Sequence, residues 1–235
     1  MTQLLVSVRE LDEIRGAKQG GASILDIKEP KNGSLGRAPD LVINQILECN
    51  ASELAVSVAL GELHECQSIR SVPSARVEFY KLGLCRTKDI VDIGDKLESA
   101  RKTLRILKDQ FIVVVYADFE RAQSKSPEDI ILVAARHGWR GILIDTFCKD
   151  GTCLFDWMSI QRIRDLKRIA QDAGLSVGLA GSIKLSDISK VVETGAEILG
   201  VRGLACDGGK RENSVVAERV QLIRRQLDRS DAGSD

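Results

Sequence analysis

The order of its elements constrains this chain most: eight short apolar runs alternate with eight helix-patterned stretches along 235 residues. The runs read as strands at 3–8, 23–28, 53–59, 75–82, 111–118, 140–145, 175–180 and 197–201. Helices are expected near 9–19, 39–49, 62–71, 88–108, 127–137, 156–173, 184–193 and 213–227. Strict alternation calls for parallel strands joined by right-handed crossovers. Phe111-Ile112-Val113-Val114-Val115 is unbroken in apolar residues, as a strand covered on both faces must be. An open doubly wound sheet also alternates, but its dinucleotide-binding form leads with Gly-x-Gly-x-x-Gly, and here no glycine follows the first strand until Gly16. The fold class expected is α/β, a single (β/α)₈ barrel over residues 1–227, with a disordered polar tail at 228–235.

Local signals support the element boundaries. Gly20-Gly21 closes the first helix, and Pro127 suits the first turn of the helix over 127–137. The 34 basic and 34 acidic residues cancel, which gives no support to nucleic-acid or membrane-surface binding. The opening Met-Thr-Gln-Leu-Leu has no basic region before it, and a cytoplasmic protein without a signal peptide is expected. Six scattered cysteines form no Cys-x-x-Cys pair, and only His64 and His137 are present to help them. Reduced thiols and no metal site are therefore the expectation.

Charge placed at strand ends carries the functional argument. In the run Leu25-Asp26-Ile27-Lys28-Glu29-Pro30, Asp26 and Lys28 are two apart and share a face. Lys81 closes the fourth strand, and Asp145, followed by Lys149, closes the sixth. In a barrel each interior layer is supplied by alternate strands, and active sites lie at the carboxyl ends. These groups, all from even-numbered strands, are thus placed to meet in one layer at the mouth. Ser7, Ser57 and Asp118, from odd-numbered strands, are neighbours. The alternative is that the lysines only salt-bridge the aspartates and plug the barrel top. A lysine amine beside a second cation in a partly dry pocket becomes nucleophilic near neutral pH and can form a Schiff base with a carbonyl. Aspartates beside it can carry the protons.

The later loops suit a phosphorylated substrate. Gly181-Ser182 follows the seventh strand, with Ser182 able to cap the next helix. Arg202-Gly203 follows the eighth, and then Asp207-Gly208-Gly209-Lys210-Arg211. Loops seven and eight are the usual phosphate cradle of this fold, although such glycines can equally be plain turn formers.

The run Asp26-Ile27-Lys28-Glu29-Pro30-Lys31-Asn32-Gly33-Ser34-Leu35-Gly36 resembles the signature of the (5-formylfuran-3-yl)methyl phosphate synthase family of methanofuran and methylofuran biosynthesis. The likeness continues through Tyr80-Lys81-Leu82-Gly83-Leu84, Tyr116-Ala117-Asp118, the stretch from Asp145 to Gly151, and Gly200-Val201-Arg202-Gly203. It implies a lyase that condenses two molecules of glyceraldehyde 3-phosphate into a furan aldehyde carrying one phosphate, with loss of phosphate and water. It implies a lysine Schiff base, no metal and no organic cofactor. Lys28 matches the Schiff-base lysine, with Asp26, Lys81, Asp145 and Lys149 as further catalytic residues. Asp26 and Asp145 are read as proton shuttles, Lys81 as the partner that lowers the amine's pKa or assists phosphate loss, and Lys149 as holding a phosphate or the second carbonyl. Gly181, Ser182, Arg202 and Gly203 are expected to bind phosphate, with Asp118 beside the substrate. The partner is then a small phosphorylated triose, with no nucleic acid and no membrane, and a homo-oligomer is compatible with this. Two other readings stay open: another phosphate-binding barrel aldolase or decarboxylase, and a non-catalytic barrel that binds a phosphate ester.

Overall fold

Each of the eight runs pairs with the next, and the last closes on the first. In the computed structural model, which describes residues 1–50, 53–73 and 76–232, the strands are β1 (Gln3–Val8), β2 (Ile24–Ile27), β3 (Ala55–Glu62), β4 (Phe79–Gly83), β5 (Phe111–Tyr116), β6 (Gly141–Asp145), β7 (Ser176–Leu179) and β8 (Ile198–Val201). They form a closed, all-parallel barrel in chain order. The helices are α1 (Asp12–Gln19), α2 (Asp40–Asn50), α3 (Ile93–Thr103), α4 (Pro127–His137), α5 (Leu154–Trp157), α6 (Ile160–Asp172), α7 (Ile188–Thr194) and α8 (Ala217–Ala232).

The two-residue period of a strand sorts the side chains into two cores. Leu4, Val6, Leu25, Ile27, Val56, Val58, Leu82, Val113, Ile142 and Leu199 point outward into the layer beneath the helices. Leu5, Ile24, Ala59, Phe79, Ile112, Val114 and Leu143 fill the barrel itself. The inward positions of β2 are therefore Ile24 and Asp26, and Asp26 stands in register with Ser7 of β1 and Ser57 of β3.

Several helices differ from the sequence expectation, each for a local reason. The third crossover has only a 3₁₀ turn, Leu63–Ser68. There β3 runs on to Glu62 past an irregularity after Ala59, and the Glu62 N–H donates to Glu65 Oε2 at 2.8 Å, closing a tight turn where helix was expected. The long helix expected at 88–108 is cut to Ile93–Thr103. Its first residues are held in turns by Arg86 and Lys88, whose N–H groups donate to the carbonyls of Ala122 and Gln123, and Arg105 reverses the chain at φ +56°. The sixth helical stretch divides at Met158-Ser159, where the Ser159 hydroxyl caps α6 by accepting from the Arg162 N–H. At the C-terminus, α8 continues to Ala232, so 228–232 of the expected tail are helical. Residues 233–235, and Ala75 of the expected fourth strand, lie outside the described residues. By contrast α4 keeps its expected bounds: Ser126 caps it, Pro127 occupies the first turn, and Gly138 ends it at φ +65°. Among the described residues no helix is long and apolar enough to cross a membrane.

Candidate functional site

The carboxyl ends of the strands open into a cavity of about 380 Å³. Asp26, Lys28, Lys81, Asp145 and Lys149 all line it, as the strand-end argument required. The first four are nearly removed from solvent, at 1%, 8%, 3% and 3% exposure respectively. Charges so buried are costly unless paired or used. Lys81 Nζ stands 2.6 Å from Asp26 Oδ1, and the Ser7 hydroxyl donates to Asp26 Oδ2 at 2.8 Å. Lys149 Nζ lies 2.7 Å from Asp145 Oδ1 and donates to Thr146 Oγ1 at 3.0 Å. The plugging alternative thus holds for two of the three lysines. Among the described residues Lys28 has no ion pair, and its ammonium donates only to the Ser34 carbonyl, at 3.2 Å.

That difference sets the electrostatics. Burial lowers the Lys28 pKa, Lys81 and Lys149 push the same way, and Asp26 and Asp145 oppose them; the result is about 7. Burial raises Asp26, but the ammonium groups of Lys81 and Lys28 with the hydrogen bonds from Lys81 and Ser7 outweigh it, and the carboxyl falls below its ordinary value. Asp145 follows the same pattern, with Lys149 and Lys28 prevailing over burial. Near neutral pH the site therefore holds a half-neutral amine between two ionised carboxylates.

The loop after β2 brings Ser34 into the site. The Glu29 N–H donates to the Gly36 carbonyl at 2.8 Å, folding the loop on itself. A side chain at Gly36 would strike the Glu29 carbonyl at 2.3 Å, so only glycine fits. The loop is thereby turned inward, and the Ser34 hydroxyl reaches Asp145 Oδ2 at 3.1 Å and the Thr146 carbonyl at 3.0 Å. Ser34 thus accepts from Lys28 through its carbonyl and touches, through its hydroxyl, the two residues that hold Lys149.

Two expected substrate ligands have other duties. Asp118 does not line the cavity; its carboxylate accepts from the N–H groups of Phe147 and Cys148, at 2.6 and 3.0 Å, and so holds the β6 loop that carries Lys149. Arg202 reaches the cavity wall, but all five of its donors are spent within the protein. Nε donates to the Arg211 carbonyl; Nη1 to the Ser7 carbonyl and Glu13; Nη2 to Glu13 and the Asn213 carbonyl. No side-chain N–H of Arg202 is left free for a phosphate in this structure. Arg202 instead fixes the β8 loop against β1 and α1. Glu13 is fully buried, so Glu13→Ala should leave Arg202 as an uncompensated buried charge and cost about 3–5 kcal/mol of stability in urea denaturation.

Gly181, Ser182 and Gly203 do line the cavity. Gly181 has φ +106° and a Cβ there would meet the Thr146 backbone N at 3.0 Å, while Ser182 sits at φ +51°, a left-handed conformation that costs a non-glycine residue about 1–2 kcal/mol. Ser182 does not cap the next helix: the following 3₁₀ turn begins at Leu185 and α7 only at Ile188. The sequence reading also missed Glu62, a buried carboxyl near the mouth whose pKa burial raises while the Tyr116 hydroxyl and the Cys85 N–H pull it down.

The family model for 4-HFC-P synthase matches residues 4–224. The (5-formylfuran-3-yl)methyl phosphate synthase of Methanobrevibacter smithii is 33% identical over 231 residues, covering 93% of this chain and 98% of that protein. The one from Methanopyrus kandleri is 34% identical over 230 residues, covering 95% and 96%. Among solved structures, phosphoribosyl anthranilate isomerase of Thermus thermophilus superposes with TM-score 0.63 at 15% identity, covering 97% of this chain and 99% of its own. The 3-hexulose-6-phosphate synthase of Salmonella typhimurium gives 0.62 at 11%, covering 96% and 100%. These structural likenesses speak to the barrel alone. Matched over nearly its whole length by the family model and by relatives above 30% identity, this chain is an enzyme that belongs to the 4-HFC-P synthase family.

Proposed function

We propose that the protein condenses two molecules of glyceraldehyde 3-phosphate into (5-formylfuran-3-yl)methyl phosphate through an imine on Lys28, with release of one phosphate and water. The observation that carries this is the Lys28 amine, buried beside two ionised carboxylates with no ion pair among the described residues, its pKa held to about 7. A neutral amine is the form that attacks a carbonyl. Its addition to one triose gives a carbinolamine, and loss of water from that gives the imine. Asp26 and Asp145, on either side, accept and return the protons. The imine withdraws electrons from the adjacent carbon, a carboxylate removes a proton there, and the resulting enamine adds to the second aldehyde. Lys81 and Lys149, each beside a carboxylate, supply positive charge where phosphate departs and where the second carbonyl gains negative charge. Hydrolysis of the imine returns Lys28 and takes back the water lost in forming it, and closure of the ring C–O bond with loss of one phosphate and two waters completes the furan. Backbone around Gly181, Ser182 and Gly203 holds the retained phosphate.

The pH dependence follows in sign. The amine is protonated and inert below about 7 and free above it, so kcat/KM at low substrate should rise roughly tenfold per pH unit below 7 and level off above it. Folding is linked in the same direction. Between about 7 and the ordinary lysine value the unfolded chain binds the proton that the folded chain has released. The contribution of Lys28 to stability therefore increases with pH across that window and is least favourable below it.

Incubation with glyceraldehyde 3-phosphate tests the reaction itself. A conjugated furan aldehyde absorbs in the ultraviolet, and one phosphate should appear per product. A product with no such absorbance would place the protein with aldolases, and saturable binding with no turnover would place it with binding proteins.

A further inference from the structure

Six cationic side chains line the cavity: Lys28, Lys81, Lys149, Lys184, Arg202 and Arg211. Lys81, Lys149 and Arg202 each face a carboxylate within ion-pair distance. Lys184 is exposed to solvent and Lys28 is the half-neutral amine. Arg211 differs from all of these. It is partly buried, it forms no ion pair among the described residues, and of its five donors Nη2 alone is engaged, with the Gly33 carbonyl at 2.8 Å. Its Nε is fully enclosed and has no partner. Burial lowers its pKa, and Asp145 acts against that through space. Enclosing Nε without a partner is costly, and the three remaining Nη N–H groups are free to meet an anion at the cavity wall.

The position of Arg211 fits the same conclusion. It leaves the β8 loop, whose backbone Arg202 anchors through the Arg211 and Asn213 carbonyls, and it reaches the β2 loop at Gly33, one residue before Ser34. It thus bridges the loop expected to hold phosphate and the loop that positions the Lys28 amine.

We infer that Arg211 is the side chain that recognises the substrate's phosphate, forming charge-assisted hydrogen bonds to its oxygens from Nη1 and the second N–H of Nη2. This rests on the proposed reaction for the identity of the substrate, but not for the anion. Arginine suits such a site because its planar fork pairs with two oxygens at once.

Arg211→Gln keeps a donor for Gly33 and removes the charge, and Arg211→Lys keeps the charge and removes the fork. Binding of inorganic phosphate, followed by calorimetry, should weaken about 10–100-fold in Arg211→Gln and by less in Arg211→Lys. KM for glyceraldehyde 3-phosphate should rise by a similar factor. Borohydride labelling of Lys28 by unphosphorylated glyceraldehyde should stay at the wild-type level in both variants. Unchanged phosphate binding in both would overturn the inference. So would glyceraldehyde labelling that falls in step with labelling by the phosphorylated triose, since Arg211 would then only prop the β2 loop. Should Arg211→Gln fail to fold by circular dichroism, the Arg211→Lys comparison decides alone. If phosphate binding depends on Arg211 while the wild type makes no furan aldehyde, the inference stands and the proposed reaction falls.

Discussion

Lys28→Arg should lower turnover by more than about 10³-fold while its circular dichroism remains that of a folded protein. Arginine preserves the positive charge, so any role of Lys28 as a simple cation, holding phosphate or balancing Asp26 and Asp145, would survive in part. An imine would not, because a guanidinium stays protonated and its nitrogens are not free to attack. The variant therefore separates the nucleophile from the charge. Lys28→Ala, which removes both, should be equally inactive. Product absorbance at saturating triose phosphate is the check, and an arginine variant with turnover near wild type would mean that Lys28 does no covalent chemistry.

Asp26→Asn is the second large effect. Asparagine keeps the shape and can still accept from Ser7, but it cannot take up a proton or balance a cation. Lys81 Nζ, now 2.6 Å from a carboxylate, would face a neutral amide, and the cavity would hold one more unmatched positive charge. Two consequences follow. The proton relay for carbinolamine dehydration is lost, which costs about 10²–10⁴-fold in kcat/KM. The Lys28 amine also loses the carboxylate that favours its protonated form, so the rise in the pH profile moves below its wild-type position near 7. A merely structural role for Asp26 would depress activity without moving the profile. Activity within a few-fold of wild type, on an unshifted profile, would remove Asp26 from the proposed relay.

The barrel was legible because it rests on local periodicity. Each strand is an apolar run whose inward and outward positions alternate, and α4 announces its own ends through Ser126, Pro127 and Gly138. The placement of Asp26, Lys28, Lys81 and Asp145 in one cavity was legible for the same reason: strand parity and barrel topology together fix which side chains reach the mouth. The errors fall where contacts are long-range or where a loop sets its own path. Arg202 sits in a glycine-bordered loop at the mouth, which suggests phosphate, but Glu13, 189 residues away, takes its charge. Asp118 is expected from sequence to end the fifth strand, but β5 stops at Tyr116 and the neighbouring loop captures Asp118 through the N–H groups of Phe147 and Cys148. Ser34 and Arg211 lie in loops whose conformation no periodicity encodes, so the reach of Ser34 to Asp145 and of Arg211 to Gly33 emerges only when the β2 and β8 loops are seen side by side. The third helix failed because the residues after β3 are held in a short turn by Glu65 acting on the backbone of Glu62, a contact that helical spacing does not register.

In the proposed reaction Lys28, alone among the three lysines of this cluster, carries an amine free to bond covalently with a triose. Reduction with borohydride during turnover of glyceraldehyde 3-phosphate, followed by peptide mass mapping, tests it directly. One substrate-dependent adduct is expected, on the peptide containing Lys28 and absent from Lys28→Arg. An adduct on Lys81 or Lys149 instead, or sustained furan formation with no trapped species, would contradict it.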